Sequence, residues 1–155
     1  MNVAALIIGI DGWDRYTKPL IDSIRQHEPD CSLVVVDNAS ETPYPSIDED
    51  DVLTMARCPK RLSYSQAINY GKLVADVNEL DVVPNDYAGE SVFDWYIVLS
   101  NDVLCTGPFA QSLEDLRDCV AGPQLWSEHG LSWIVGWCVA IPRNVWDAAG
   151  GWDEG

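Results

Sequence analysis

The sequence has little positive charge. Its 155 residues include 9 Lys and Arg against 25 Asp and Glu, which gives a formal net charge of −16 at pH 7. An acidic surface of this kind repels phosphate backbones and anionic headgroups, so we expect neither nucleic acid nor a charged membrane surface as a partner. A nucleotide ligand would need a local source of positive charge, and a divalent cation is the simplest one.

Cysteine and histidine are not arranged as a metal or disulfide framework. Five Cys are present, an odd number, and no two of them have the CxxC spacing of a zinc ribbon. The two His are isolated, without a second ligand at metal-site spacing. These absences argue against both frameworks, and we expect reduced thiols in a cytoplasmic protein.

No stretch is apolar for long enough to span a bilayer. Residues 1–10 are apolar but lack a basic start and a cleavage site, so they predict a first strand and not a signal peptide. The phosphate-binding signatures GxGxxG and GxxxxGK[ST] are also missing. Their absence weakens the case for a dinucleotide-binding or P-loop protein.

The most informative stretch that is present covers residues 92–103. Residues 95–99 are all apolar or aromatic, which favours a strand covered on both faces, as in a parallel sheet. Ser100-Asn101-Asp102 ends this run abruptly. Ligands of open α/β sheets bind beyond the carboxyl ends of the strands, so Asp102 stands where a ligand would lie. An ordinary polar turn is the alternative interpretation.

The order of the predicted elements favours an α/β fold. Residues 3–10 and 33–36 predict buried strands, and the apolar spacing between them predicts a helix over 17–27. Strand, helix and strand in this length form a βαβ unit with parallel pairing. No composition break divides the chain, so we expect one domain over 1–155. Further predictions are loops over 41–51 and 76–91, strands over 52–56 and 132–141, and helices from Ser63, over 109–119 and over 142–149.

Three of the predicted strands end in an acidic residue or a polar cluster. The residues that follow them are Asp11, Asp37-Asn38 and Ser100-Asn101-Asp102. If the strands are parallel neighbours, these groups meet at one edge of the sheet and form a candidate site. Each alone has a simpler interpretation, since Asp37, for example, could cap the turn after its strand.

Five segments, in this order and spacing, resemble the nucleotide-sugar half of an inverting GT-A glycosyltransferase of the family 2 type. The resemblance covers nearly the whole chain, and the second and fifth segments are the more specific ones in combination. The segments are the opening strand and loop at 5–13, the strand with a D-[ND]-x-S ending at 34–40, the helix segment ending in N-x-G at 65–71, the stretch at 98–103 that is similar to a DxD metal motif, and the stretch at 136–153 that resembles a G…R…GGFDE segment.

The resemblance implies a single GT-A-like domain with a mostly parallel central sheet and helices on both faces. It implies that a sugar is transferred, with inversion, from a nucleotide diphosphate donor to a hydroxyl acceptor, with the help of Mn²⁺ or Mg²⁺. A UDP-sugar is the donor expected from the habits of the family. A bound cation would stabilise the charge that builds up on the leaving diphosphate.

The resemblance also implies roles for individual residues. Asp11 and Asp37 would contact the nucleoside, and Asp102 would bind the metal that bridges the diphosphate. The remaining residues implied in the donor pocket are Asn38, Arg61, Asn69 and Asn101.

The sequence departs from the family pattern in two places. Ser100 stands where the metal triplet would have its first carboxylate, so the triplet offers only one. The family usually continues past the GGFDE-like segment to a further acidic motif, so on this resemblance the acceptor-side part is short or missing. Asp153 and Glu154 are then the candidates for the base that takes the acceptor proton. Self-association would be one way to cover a face left exposed by a short acceptor side.

Three other functions compete with this one. A nucleotide-sugar or carbohydrate-binding domain without efficient catalysis would explain the lack of the further acidic motif. A sugar nucleotidyltransferase usually opens with a glycine-rich loop and basic residues, and residues 10–15 lack that loop. A doubly wound domain of another kind, with an accidental match to the family, would leave the crevice at the strand ends empty of nucleotide.

Overall fold

The central strand of the protein, β1 (Val3–Gly9), has every residue buried. In the computed structural model it pairs in parallel with β2 (Ser32–Asp37) on one side and with β4 (Trp95–Ser100) on the other. β3 (Leu53–Arg57) pairs in parallel with β2, and β7 (Cys138–Pro142) runs antiparallel to β4, which gives the order β3-β2-β1-β4-β7. The structure describes residues 1–47, 53–78, 93–116, 119–122, 125–128, 131–134 and 137–153.

Helices cover both faces of this sheet. A turn of π-helix over Trp13–Thr17 leads into α1 (Lys18–His27), and α2 (Tyr64–Asn78) follows β3. The short helix α3 (Ala110–Leu113) follows β4, and α4 (Arg143–Ala149) follows β7. A separate antiparallel pair is formed by β5 (Leu125–Glu128) and β6 (Leu131–Ile134). Among the residues that the structure describes, no helix is long and apolar enough to cross a membrane.

The alternation of side chains along the strands divides the core into two layers. α1 packs with Leu20, Ile21 and Ile24 on one face, where it meets Ala5, Ile7, Leu33, Val35, Ile97 and Leu99. α2 and α4 pack on the other face, with Ala67, Ile68, Ala75 and Trp146 against Leu6, Ile8, Val34, Val36 and Val98. Both faces of the central strands are therefore covered, which explains their continuous apolar sequences.

α2 is capped at its start and is bonded to the sheet near its end. At its start, the Ser63 hydroxyl accepts a hydrogen bond from the Gln66 amide and the Gln66 side chain accepts one from the Ser63 amide, both at 3.2 Å, a capping box. Near its end, the buried Tyr96 donates its hydroxyl to Asp76, which also binds Lys72 at 2.7 Å. The predicted helix start at Ser63 is therefore confirmed.

The α/β fold with a mostly parallel sheet and helices on both faces is as predicted, but two predicted elements are wrong. The helix expected over 109–119 is only Ala110–Leu113. Glu114 and Asp115 follow at its carboxyl end, where the helix dipole disfavours negative charge. The strand expected over 132–141 is two strands in two sheets, β6 and β7. β7 pairs with the six-residue β4 and makes one further bridge, from Ala140 to Ala121, whereas β6 pairs with β5.

Gly71 allows α2 to lie close to the sheet, and this predicts the effect of a substitution there. A Cβ on Gly71 would lie 3.2 Å from a Val36 methyl and 3.6 Å from an Ile8 methyl. We expect Gly71→Val to lower the free energy of unfolding by about 1–3 kcal/mol because it overpacks this contact. Leu73→Val, at an exposed position of the same helix, is the control and should change it by less than about 0.5 kcal/mol. Urea unfolding measures both, and equal effects would contradict the close packing.

Candidate functional site at the carboxyl edge of the sheet

The predicted polar residues meet at one edge because β1 lies between the other two strands. Gly9 is paired with Asp37 of β2, and Ile8 is paired with Ser100 of β4. Parallel strands place their carboxyl ends together, so the residues that follow β1, β2 and β4 converge. The convergence predicted from the sequence is what the topology shows.

Three polar side chains meet above Gly9. Asn101 donates from Nδ2 to the Thr17 hydroxyl at 3.0 Å, and Thr17 donates to the Tyr44 hydroxyl at 3.0 Å. Tyr44 in turn donates to the Asp11 carbonyl at 3.0 Å. A Cβ on Gly9 would lie 2.3 Å from the Tyr44 hydroxyl and 2.9 Å from Asn101 Nδ2. Only glycine leaves room for this hydrogen-bond chain, which links the ends of β1 and β4.

Asp37 is buried, with 2% of its surface exposed, and its carboxylate binds the loop after β2. Oδ1 accepts the Ser40 amide at 2.8 Å, and Oδ2 accepts the Tyr44 amide at 3.2 Å and the Arg57 guanidinium. Burial acts to raise the pKa of Asp37, but the hydrogen bonds from Ser40, Tyr44 and Arg57 outweigh it and hold the pKa below its usual value. Asp37 is therefore an ionised anchor for residues 40–44.

Asp11 occupies the left-handed region of backbone conformation, with φ 56°. Asp tolerates this region better than most residues because its short side chain bonds locally. Here the Asp11 amide donates to the Ser40 hydroxyl at 2.7 Å, and the carboxylate accepts the Glu41 amide at 2.8 Å. The side chain remains exposed. Asp11 therefore joins the loops after β1 and β2 and still presents a carboxylate to solvent.

Tyr44 is a central residue of the site that the sequence interpretation missed. It lies in the stretch predicted to be a surface loop, yet only 9% of it is exposed. Burial, together with the nearby charge of Asp37, raises the pKa of its hydroxyl, so it stays protonated and can donate. The available signal was one aromatic residue between Pro43 and Pro45 in a polar loop.

Asp102 is exposed at the end of β4, and Tyr64 at the start of α2 lies beside it. The pKa of the Tyr64 hydroxyl is raised, first by partial burial and also by the charge of Asp102. A hydrogen bond with Ser100 acts in the opposite direction but does not outweigh them. Tyr64 therefore borders the Ser100-Asn101-Asp102 triplet. From the sequence, Tyr64 is predicted only to lie on a helix face, since no local pattern links residues 64 and 102.

Two of the predicted donor-site residues concern the loop before α2. Asn38 bonds to this loop, and Arg61 is part of it. Asn38 is buried, and its amide exchanges two hydrogen bonds with the Leu62 backbone, at 3.1 Å and 2.9 Å. Arg61, next to Leu62, is exposed. Asn38 therefore positions the loop, while Arg61 has a side chain free to approach a ligand from solvent.

The predicted residues near the C-terminal segment form a separate contact. Asn69 donates to the Trp152 carbonyl and accepts from the Trp152 amide, both at 2.9 Å. Gly151, with φ 109°, brings the backbone within reach, since a Cβ there would lie 3.2 Å from Asn69 Oδ1. Asp153 follows and is exposed, and Glu154 lies outside the described residues. The Asn69 amide thus holds the segment that carries Asp153.

A groove of about 880 Å³ lies between the loops after β1 and β2. Asp11, Trp13 and Glu41 are among its lining residues. The Trp13 ring packs against Tyr44, with 5.1 Å between ring centroids. The groove therefore combines an aromatic surface with carboxylates, on the side of the triplet nearest β2.

The donor set for a metal is small. Within the described ranges, no group of three or more His, Cys, Asp or Glu is placed to hold an ion. Asp102 supplies one exposed carboxylate. Mg²⁺ and similar ions accept one or two protein carboxylates and take their other ligands from phosphate and water. The residues present therefore fit a metal that arrives with a diphosphate.

Solved structures identify the fold as GT-A-like. The chain is similar to a mannosyltransferase from Pyrobaculum calidifontis in complex with GDP-Man and Mn²⁺, with a TM-score of 0.65 and 14% identity, covering 99% of this chain and 48% of that one. It is more distantly similar to S. aureus TarS 1–349, with a TM-score of 0.47 and 12% identity over 75% of this chain and 31% of that one. A third similarity is to the glycosyltransferase GlyE of Streptococcus pneumoniae TIGR4, with a TM-score of 0.47 and 14% identity over 97% and 36%.

The chain spans about half the length of the mannosyltransferase and about a third of each of the others. No protein-family model and no curated protein sequence matches it. The likeness therefore establishes the fold, and the function rests on the geometry of the site.

The Asp37 anchor predicts a pH-dependent stability. The pKa of Asp37 in the folded state lies below its ordinary value of 3.8. The stabilisation that the Asp37 carboxylate contributes is therefore fully present above pH 3.8, and it is lost as the pH falls through the folded-state pKa. Asp37→Asn keeps the shape but turns an N–H group toward donors. We expect it to cost about 1–3 kcal/mol of unfolding free energy at pH 7, with the difference from wild type shrinking as the pH falls through the folded-state pKa.

Asp22→Asn is the matched control for this measurement. Asp22 pairs with Lys18 at 2.6 Å, but both side chains are more than half exposed. An exposed helix pair of this type contributes about 0.3–0.5 kcal/mol. Denaturant unfolding over the pH range separates the two, and a pH-independent effect of Asp37→Asn would refute the ionised anchor.

Proposed function

We propose that the chain is the donor-binding part of an inverting, metal-assisted glycosyltransferase of the family 2 type. The observation that carries this proposal is the convergence of Asp11, Asp37 and the Ser100-Asn101-Asp102 triplet beyond three adjacent parallel strands. That crevice is where open α/β sheets bind nucleotides. A UDP-sugar is the donor that the resemblance favours, and GDP-sugars should be tested beside it because the similar mannosyltransferase was determined with GDP-Man.

The nucleoside would occupy the groove between the loops after β1 and β2. The exposed Asp11 carboxylate suits the ribose hydroxyls or the base edge, and the Trp13 ring offers an apolar face for the base. Asp37 would support the groove indirectly by holding the loop after β2, because its oxygens already bind that loop and only 2% of the residue is exposed. Arg61 would reach the donor from the loop that Asn38 holds.

The diphosphate would lie over the triplet, with Asp102 as the protein ligand to Mn²⁺ or Mg²⁺. Asn101 would keep the triplet in place through its bond to Thr17. A cation bound there supplies Lewis-acid stabilisation of the leaving diphosphate. It would also add positive charge beside the phosphates in a chain whose formal net charge is −16.

Transfer would form one bond and break another at the anomeric carbon. The acceptor oxygen bonds to that carbon from the face opposite the diphosphate, and the carbon–oxygen bond to the diphosphate breaks with its electron pair on the leaving group. The acceptor proton passes to a carboxylate, for which Asp153 is our assignment among the described residues. Asn69 is a positioning residue in this scheme, because it fixes the adjacent Trp152 backbone.

A donor-binding domain without efficient transfer is the second candidate. The single carboxylate of the triplet, with no group of three metal-binding side chains in the part of the chain described, favours it. The two functions differ in turnover. Binding of a nucleotide sugar without metal-dependent release of the nucleotide diphosphate would select the second.

Asp102→Asn tests the metal assignment. The substitution removes the carboxylate but keeps the size of the residue, so we expect nucleotide diphosphate release from the best UDP- or GDP-sugar to fall about 100-fold or more. Calorimetry should show that Mn²⁺ no longer strengthens nucleotide binding. Asp115→Asn, at an exposed acid after α3, is the control and should behave like wild type. An unchanged Mn²⁺ dependence in Asp102→Asn would remove Asp102 from the site.

Asp153→Asn tests the base. Loss of general base catalysis costs about 10²–10⁴-fold in rate, so transfer to the acceptor should fall by that factor while donor affinity stays unchanged. The rate of wild-type transfer should also decline as the pH falls and the base becomes protonated. Asp115→Asn again serves as the control. Transfer at the wild-type rate by Asp153→Asn would show that the proton goes elsewhere.

A further inference from the structure

A second cavity, of about 390 Å³, lies on the α1 face of the sheet, beneath residues 103–116 and 121–122. Ile97 and Leu99 of β4 and Ala140 of β7 form its floor, and Leu20 and Ile24 of α1 form a wall. Its volume is within the range of small-molecule pockets, about 300–1,000 Å³. The functional site described above uses none of these side chains.

The cavity is apolar in a strongly acidic protein. No charged residue is among the described residues that line it, although the chain carries 25 Asp and Glu. The polar side-chain groups of its lining residues are the Ser112 hydroxyl, the thiols of Cys105 and Cys138, and the indole N–H of Trp137. Burial, followed by the nearby Cys105, raises the pKa of Cys138, so that thiol is neutral. A charged ligand would find no partner here, and a hydrocarbon would lose no hydrogen bond.

Polar contacts hold the roof of the cavity in place. The Ser23 hydroxyl of α1 accepts the Cys105 amide at 3.0 Å. The Glu28 carboxylate at the end of α1 accepts the amides of Phe109, at 2.5 Å, and Ala110, at 2.7 Å. Residues 105–110 of the roof are therefore bonded to α1 at both of their ends. The cavity is formed in this way without a ligand.

One end of the cavity reaches the proposed donor site. The lining residue Trp137 accepts a hydrogen bond from the Ser100 amide at its carbonyl, at 3.0 Å. Val103 and Leu104, also lining residues, follow Asp102 directly. Leu104 is 62% exposed and Trp137 is 37% exposed, so two large apolar side chains that line the cavity also meet solvent. These residues mark an apolar opening beside the triplet.

We propose that this cavity binds an aliphatic chain of the acceptor, so that the hydroxyl at the head of that chain is held beside the Ser100-Asn101-Asp102 triplet. Most of the lining side chains are aliphatic, which suits a flexible hydrocarbon. The acceptor role rests on the proposed function, and the transfer step is the one described there. The binding of the chain itself rests only on the cavity.

A series of n-alkyl β-D-glucopyranosides, from methyl to dodecyl and below their micellar concentrations, tests this proposal. Burial of each methylene should strengthen binding about fourfold, so calorimetry should show affinity rising with chain length and then levelling off when the cavity is full. Transfer from the nucleotide sugar should follow the same order of acceptors. No binding of the decyl compound to the wild-type protein would overturn the proposal.

Two exposed lining positions allow the cavity to be altered without disturbing the core. Leu104→Gln places an uncharged polar group at the opening, and Ser112→Trp fills space inside. Each should weaken binding of the decyl compound at least tenfold, while nucleotide binding stays as in wild type. Leu73→Gln is the matched control, because Leu73 is 54% exposed on α2, outside the cavity. Equal weakening in all three variants, or none in any, would overturn the cavity as the binding site.

The outcomes separate this proposal from the proposed function. If nucleotide sugar is turned over but the decyl compound is no better an acceptor than the methyl compound, the cavity proposal fails and the transferase stands. If the decyl compound binds in the cavity and no nucleotide sugar binds, the proposed function fails and the acceptor role fails with it.

Discussion

The site depends on the space above Gly9. There the Tyr44 hydroxyl, the Thr17 hydroxyl and the Asn101 amide come within hydrogen-bond distance of one another, and any side chain on residue 9 would displace them. The residues come from three separate segments, which follow β1, β2 and β4. The absence of a side chain on residue 9 therefore allows the segment after β1 to bond to the Ser100-Asn101-Asp102 triplet. Such a fully bonded polar cluster fixes its geometry before a ligand arrives, which reduces the entropy that binding must overcome.

Charge is the second constraint on the site. The chain has an excess of 16 acidic residues, yet the buried acid at the strand ends, Asp37, is matched by Arg57 and by backbone amides. Asp11 and Asp102 remain exposed and would repel a diphosphate by themselves. A divalent ion reverses that repulsion, since it brings positive charge to the carboxylate that faces the phosphates. Under the proposed function, these exposed acids would therefore make donor binding depend on a metal ion.

The sequence predicted the fold well where patterns are local. The buried strands at 3–9, 32–37 and 95–100 read as short apolar runs, and Ser63 with Gln66 is a capping pair visible at a spacing of three residues. The convergence of the acids followed from parallel pairing alone. The partners of those acids could not be predicted, because Tyr44, Arg57 and Tyr64 reach the site through tertiary packing that no spacing encodes. Asn69 illustrates this limit, since its amide partner is the backbone of Trp152, 83 residues away.

The surfaces on the two sides of the Ser100-Asn101-Asp102 triplet differ in chemistry, so the two halves of this edge of the sheet are not equivalent. Toward β2 lies a groove with carboxylates and an aromatic ring, and toward β7 lies an apolar cavity without a charged lining residue among those described. The first surface offers polar partners for a nucleotide, whereas the second offers none to a charged ligand. Under the proposed function, Asp102 would lie between the two ligands, near the leaving diphosphate and the incoming hydroxyl. A sheet with a single metal-binding carboxylate could still direct transfer in this way, because the two flanking surfaces, and not the metal alone, would orient the reacting groups.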